Sequence, residues 1–306
     1  MIKSILLTGH TGFLGSVIHK SLVKDFVVYT LGRSQSCDYR IDFLDWDGRL
    51  ELEHQIDTVV HVAGLAHGKS NSDKDMLSVN YDTVASLVSA CEALDIQNFV
   101  FISSVAVYGK SIGSVIDESV ECTPVSTYGH SKLNSEKLIN NWMIKDSKRK
   151  QISLRLPLII GPNPPGNLGK LMNSIKSGRH IYLKGNKATK SAVFASDVAI
   201  FISNWLKTIE RKSGVVNLTC GEAPTFNWIE NSIQQLTGGR FFITFPVGLL
   251  WKTIVVLKHR FGVSIPIFGK IFYPLTFSDQ LARDHFNYQS KELNQTNFIN
   301  ELNSNH

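Results

Sequence analysis

Between residues 6 and 15 the chain reads LLTGHTGFLG. Gly9, Gly12 and Gly15 recur at every third position, after an apolar run and before a helical pattern. That order restricts the segment to a strand, a tight turn and a helix. One glycine makes the turn, one lets a backbone approach a diphosphate, and one lets the helix lie against its strand. The helix opens with unbonded N–H groups and partial positive charge, which suit phosphate. The loop is read as a dinucleotide cradle, with Gly9, Thr11, Gly12, Phe13, Leu14 and Gly15 as its contacts. An ordinary glycine-rich turn is the plainer alternative.

The same alternation continues downstream. Apolar runs at 4–9, 26–31, 57–64, 98–104, 152–160 and 214–220 are separated by helical patterns at 13–23, 76–94, 128–144 and 198–209. Continuous Val, Ile and Phe runs suit strands covered on both faces. Strand and helix in turn imply an α/β fold with a doubly wound parallel sheet. Residues 1–160 form the expected Rossmann domain, with 191–221 returning to it. Residues 161–190, opening on the loop GPNPPGNLG, and 222–306 form a smaller substrate lobe. The site is expected between them, at the carboxyl ends of the strands.

Composition narrows the function classes. The 306 residues are 43% hydrophobic and 19% charged, enough for a large core. A net charge of +6 fits an anionic small molecule, and neither zinc-finger spacing nor an arginine-rich arm points to nucleic acid. The four cysteines are scattered, which suits reduced thiols and a cytoplasmic protein. His61, His67 and His130 have no metal-ligand spacing, so no metal is expected. Apolar runs stay short of a membrane span. The segment 241–275 is apolar with basic punctuation and is read as a core helix opening at Pro246 and closing at Gly262. A weak membrane-surface or partner-docking face is its alternative reading.

With the stretches SSVAVYG (103–109) and YGHSK (128–132) added to the glycine loop, the chain resembles the extended short-chain dehydrogenase/reductases. It is similar to their branch acting on nucleotide sugars, the NAD-dependent epimerase/dehydratase family. DFLD (42–45) resembles the adenine-contacting segment, through Asp42 and Phe43. HVAGLA (61–66) resembles a cofactor segment, through Ala63, Gly64 and Leu65, and VNYDT (79–83) supplies the helix asparagine, Asn80. RLPLIIGPNPPGN (155–167) resembles the segment that flanks nicotinamide at Pro157 and substrate at Asn167. VFASDVA (193–199) resembles a further signature. Two positions depart from the pattern: Ala66 and His67 stand where a diphosphate-facing lysine is frequent, and Gly32 and Arg33 stand where an acid is frequent. The second departure bears on the cofactor. An acid at the end of the second strand would bind a ribose 2′-hydroxyl. Arg33 and Ser34 suit a 2′-phosphate instead, so NADP(H) is favoured over NAD(H).

The resemblance implies Ser104, Tyr128 and Lys132 as the catalytic set. A four-residue spacing stacks Tyr128 and Lys132 on one helix face. Tyr128 is expected to carry the proton, with the Lys132 charge lowering its pKa and the ammonium also holding the nicotinamide ribose. Ser104 is expected to orient the substrate carbonyl. Ser103 competes for that role; strand side chains alternate faces, and the resemblance favours Ser104. For substrate, Asn167 and Arg283 are candidates for the diphosphate or its sugar, a solvated helix arginine being the alternative for Arg283.

The C-terminal lobe and the stretch from Arg155 to Leu183 look most like reductases of surface-polysaccharide pathways. The leading expectation is therefore NAD(P)H-dependent reduction of a nucleotide-linked 4-keto-6-deoxy sugar, a UDP-hexosamine in the first instance. A nucleotide-sugar 4-epimerase with tightly held NAD+ is the alternative. A non-catalytic dinucleotide-sensing protein is the third reading. Pairing of the helices at 76–94 and 128–144 across a twofold axis implies a homodimer.

Overall fold

A computed structural model of the protein describes residues 4–44, 46, 48–65, 73–248 and 272–304. Seven parallel strands form the central sheet: β1 (Ser4–Thr8), β2 (Val27–Gly32), β3 (Tyr39–Arg40), β4 (Thr58–His61), β5 (Asn98–Ser104), β7 (Lys150–Leu156) and β11 (Gly214–Asn217). Their order across the sheet is β11-β7-β5-β4-β1-β2-β3. The chain winds outward from β1 in one direction and then, from β4, in the other. That reversal opens a crevice at the carboxyl ends of β1 and β4.

Helices cover both faces, which explains the unbroken apolar runs. Ile5, Leu7, Val60, Val100 and Ile102 face α1 (Phe13–Leu22) and α6 (Ala195–Lys207). Leu6, Val59, Phe99 and Phe101 face α3 (Thr83–Ala93) and α4 (Thr127–Ile144). The helical pattern at 76–94 resolves into α2 (Asp73–Leu77), a π-helical turn (Ser78–Asp82) and α3. The run at 152–160 is two strands. Pro157 has no N–H for the ladder, so β7 ends at Leu156 and β8 (Leu158–Ile160) leaves the sheet to pair with β10 (Ala192–Phe194).

A second core joins β8, β10, α5 (Gly166–Lys176), α7 (Phe226–Thr237) and α9 (Gln295–Asn303) through Ile160, Leu168, Phe194, Ile233 and Phe298. Beside it, β9 (His180–Lys184) pairs in parallel with β12 (Phe241–Pro246). β6 (Gly113–Ile116) likewise pairs with β13 (Leu275–Phe277), ahead of α8 (Gln280–Phe286). Residues 241–246, expected as the approach to a helix, are thus a strand. The helix expected from Pro246 to Gly262 lies outside the described residues beyond Gly248, as do Ala66 and His67. No helix among the described residues is long and apolar enough to cross a membrane.

Candidate active site

The turn after β1 is built on close backbone approach. Gly9 is left-handed, at φ +75°. A Cβ on Gly15 would lie 1.9 Å from the Gly9 carbonyl oxygen, so only glycine lets α1 sit against this turn. Gly12 donates its N–H to that same oxygen at 2.9 Å. α1 starts after Gly12 with no side-chain cap, leaving its first N–H groups open toward the crevice. Thr11 and Gly12 are exposed, Phe13 is half-buried, and Leu14 and Gly15 are buried. The cradle fits a diphosphate.

Across the crevice, the turn after β4 is tied down from both sides. Thr8 Oγ1 accepts from the backbone N–H groups of Val62 and Ala63, each at 3.2 Å. With both lone pairs used, its proton goes to His61 Nδ1 at 2.7 Å. Nε2 of that buried ring then carries hydrogen and has no partner among the described residues. From the other side Asn80 clasps Leu65: Oδ1 accepts from Leu65 N at 2.7 Å and Nδ2 donates to Leu65 O at 2.9 Å. Both ends of the Asn80 amide are committed, so it acts by holding the 63–65 turn. Asn80 sits in the π-helical turn, and its carbonyl accepts from Ser135 of α4 at 3.1 Å.

The predicted trio converges here. Ser126 caps α4 by accepting from Gly129 N at 3.1 Å. A Cβ at Gly129 would lie 2.7 Å from Ala106 O, so glycine lets the first turn of α4 press onto the short helical turn after β5 (Val105–Tyr108). That contact brings Tyr128 to Ser104, whose hydroxyl bonds to the phenol. Ser104 Oγ also accepts from Ala106 N at 3.2 Å. Ser103 points the other way and donates to buried Glu136. Lys132, one turn along α4, is buried with Nζ donating to Ile102 O at 2.9 Å. Nζ lies 5.9 Å from the Tyr128 ring centroid and 4.7 Å from that of Phe101. A Cβ on Gly64 would sit 3.4 Å from Nζ, which places the ammonium at the crevice wall.

The electrostatics differ from the expected ones. Lys132 was to lower the Tyr128 pKa; instead burial pushes the phenol up, with the Ser104 hydroxyl opposing. Burial also pulls the Lys132 ammonium down to about 8, with Glu136 opposing. Desolvation is the largest cause of both shifts.

The other candidates are spread around this centre. Arg33 is exposed just past the end of β2. Ser34 bonds Ser36 at 2.8 Å, and His10 of the glycine loop reaches Ser36 at 3.2 Å, so the β1 and β2 turns are joined. Asp42 is exposed and accepts from Leu44 N, while Phe43 packs edge-on to Trp46 at 6.1 Å. Pro157 is half-buried between β7 and β8. Asn167 is exposed on the first turn of α5. Arg283 is already engaged: Nε and Nη2 bond both oxygens of Asp279 at 2.9 and 2.8 Å, and Nη2 also meets Ser290.

Sequence reasoning missed Thr8, and it weighed His61 as a metal ligand without giving it a role here. A threonine closing an apolar strand before a glycine loop was the available signal. It also missed a buried polar chain beneath the trio. Arg155 bonds Glu136 at 3.1 and 2.7 Å and the Tyr108 hydroxyl at 3.0 Å, and Tyr108 passes a bond to Asn217 at 2.9 Å.

Comparison with known proteins bears on this arrangement. The model of the NAD dependent epimerase/dehydratase family matches residues 5–219. The N-acetyl-alpha-D-glucosaminyl-diphospho-ditrans,octacis-undecaprenol 4-epimerase of Escherichia coli O157:H7 is 25% identical over 82% of this chain and 78% of its own. A UDP-glucose 4-epimerase of Vibrio cholerae is 30% identical over 58% of each chain. The UDP-glucose 4-epimerase of Thermus thermophilus, solved in complex with NAD, superposes with a TM-score of 0.77 at 20% identity over 97% of both chains.

Proposed function

Since the chain belongs to the NAD dependent epimerase/dehydratase family, as an enzyme of the extended short-chain dehydrogenase type, we propose that it interconverts the C4 epimers of a hexose or N-acetylhexosamine carried on a diphosphate. The observation that carries the proposal is the Ser104–Tyr128 bond beside Lys132 at the mouth of the glycine crevice. The relatives named as 4-epimerases support this reading better than the 4-keto reduction placed first from sequence. The non-catalytic alternative falls with the family assignment.

A nicotinamide dinucleotide, when bound, supplies the hydride acceptor and donor and a positive charge on its oxidised ring. The open N–H groups of α1 and the Gly9–Gly15 turn would hold its diphosphate. Tyr128, as the phenolate, would take the proton of the sugar C4 hydroxyl as the ketone forms, and would return it to the same oxygen after the sugar has turned the other face of its C4 carbonyl to the cofactor. Ser104, whose hydroxyl bonds the Tyr128 phenol, would turn its proton to that oxygen when substrate is held. Lys132, charged at neutral pH with its pKa near 8, would favour that phenolate before it takes the proton. Asn80 and Thr8 keep the wall opposite Tyr128 in register through the 62–65 backbone.

The cofactor is NAD in the family; a preference for NADP(H) through Arg33 and Ser34 belongs to this proposal, as does a cytoplasmic location, where free thiols persist. The test is a panel: UDP-glucose, UDP-N-acetylglucosamine, N-acetylglucosamine diphosphate on a polyprenol, and a UDP-4-keto-6-deoxy-hexosamine. Each is incubated with catalytic or stoichiometric dinucleotide. Epimer interconversion with no net change in reduced-nicotinamide absorbance is expected. Stoichiometric NADPH oxidation on the keto sugar would establish the reductase instead. Tyr128→Phe should cut turnover by about 10³-fold with dinucleotide binding retained. Arg33→Ala should shift cofactor preference toward NAD.

A further inference from the structure

The substrate lobe has an unusual charge distribution. The chain has no Asp or Glu between Asp146 and Asp197, nor between Glu230 and Asp279. Within those stretches Lys170, Lys176, Arg179, Lys184, Lys187 and Arg240 are exposed. The β9–β12 pair lies among them, with Ile243 beside Ile181 and Pro246 beside Lys184 in register. The pair is held by Tyr182 stacking on Phe241 at 4.4 Å and by α7, where His180 bonds buried Glu230 at 2.6 Å and Asn227 donates to the Leu183 carbonyl at 2.9 Å. Four of its large apolar side chains are exposed: Phe242 is 68% exposed, Ile181 53%, Ile243 46% and Phe245 38%. At its end opens a cavity of about 430 Å³ walled by Val247, Phe272, Tyr273 and Pro274, with Lys187 at its rim.

Exposed aromatic and branched side chains in one patch mark an interaction surface. The cations around them identify its partner. Protein interfaces are depleted in lysine, and pairing with another protein would normally draw on both signs of charge. A sheet edge with protruding Phe and Ile, built from cation-bearing stretches that hold no carboxylate, matches a negatively charged lipid surface. Rings and branched chains enter the headgroup–acyl boundary while lysine stems reach up to phosphates. We propose that the β9–β12 edge docks this protein on the surface of an anionic bilayer. The proposal uses none of the residues of the Ser104–Tyr128–Lys132 site, so it stands or falls apart from the epimerase reading.

The experiment is co-sedimentation of the full chain with vesicles of phosphatidylcholine alone or mixed with phosphatidylglycerol. Binding to the mixed vesicles only is expected, with most of it lost at about 0.5 M salt, where exposed charges are screened within a few ångströms. Lys184→Gln with Lys187→Gln should weaken binding roughly thirty-fold, from the usual contribution per cation. Phe242→Ser with Phe245→Ser should weaken it by at least about tenfold, from lost apolar burial. Both variants should keep the thermal midpoint of the parent, because all four side chains are exposed. No binding, equal binding to both vesicles, or binding unchanged in either variant would overturn the proposal. So would a fall in oligomer mass in Phe242→Ser/Phe245→Ser with vesicle binding intact, which would make a second copy the occupant.

Discussion

His61 is kept neutral by everything around it. Thr8 donates to Nδ1, Phe101 stacks on the ring at 6.0 Å, and the ring is buried near the Lys132 charge. Burial, with Lys132 adding to it, lowers its pKa to about 3. In the unfolded chain a histidine titrates near ~6.5. Between those values the unfolded state binds more protons, so His61 removes stability as pH falls from about 6.5 toward 3 and removes none above it. The parent should lose about 2–3 kcal/mol more between pH 7 and pH 4.5 than His61→Asn does, measured as the difference in urea-unfolding free energy. Equal slopes would mean that the ring is protonated in the fold. Tyr128 is the opposite lesson at this scale. Its identity and its lysine four residues on were legible; the sign of its pKa shift was not, because burial is set by packing between elements far apart in the chain.

Among the elements, α4 carries most of the chemistry. Tyr128, Lys132 and Glu136 follow one another at four-residue steps, and all three lie on the sheet side. Glu136 ends the row in a two-bond ion pair with Arg155 of β7 and also accepts from Ser103 of β5. Removing one member leaves a buried guanidinium uncompensated, which costs about 3–5 kcal/mol. Glu136→Gln should therefore lower the unfolding free energy by about 3 kcal/mol or more, read from denaturant melts. Glu136→Leu with Arg155→Leu should recover part of the loss. The helix itself was readable from its spacing, but the partners of Glu136 were not. They arrive from strands 33 and 19 residues away in sequence. Short lobe strands such as β6, β9 and β13 were likewise missed, since each pairs with only one neighbour and lacks a long apolar run.

For the molecule as a whole, the homodimer remains a matter for measurement. It was expected from an apolar stripe on the helix at 76–94 facing a partner. In the fold Val84, Leu87, Val88 and Cys91 all go to the sheet. Ser89, Glu92, Asn134, Lys137 and Asn141 are among the exposed residues of α3 and α4, and Ile144 adds a large apolar one at the end of α4. Light scattering at micromolar concentration should give twice the 34.2 kDa chain mass if α3 and α4 pair through this face; a single chain mass would remove the dimer.

What the amino-acid sequence determined alone was the part written in short-range pattern. Runs of Val, Ile and Phe, the glycine triplet and the Tyr–Lys step each lie within one or two adjoining elements, where periodicity and turn chemistry act without help. Only the tertiary structure decided which serine faces the phenol, that Asn80 spends its amide on Leu65, and that Arg283 pairs with Asp279. It also decided that the basic, carboxylate-free stretches meet at one exposed sheet edge. Those outcomes depend on desolvation and on distances between elements far apart in the chain, and neither quantity exists until the sheet has closed.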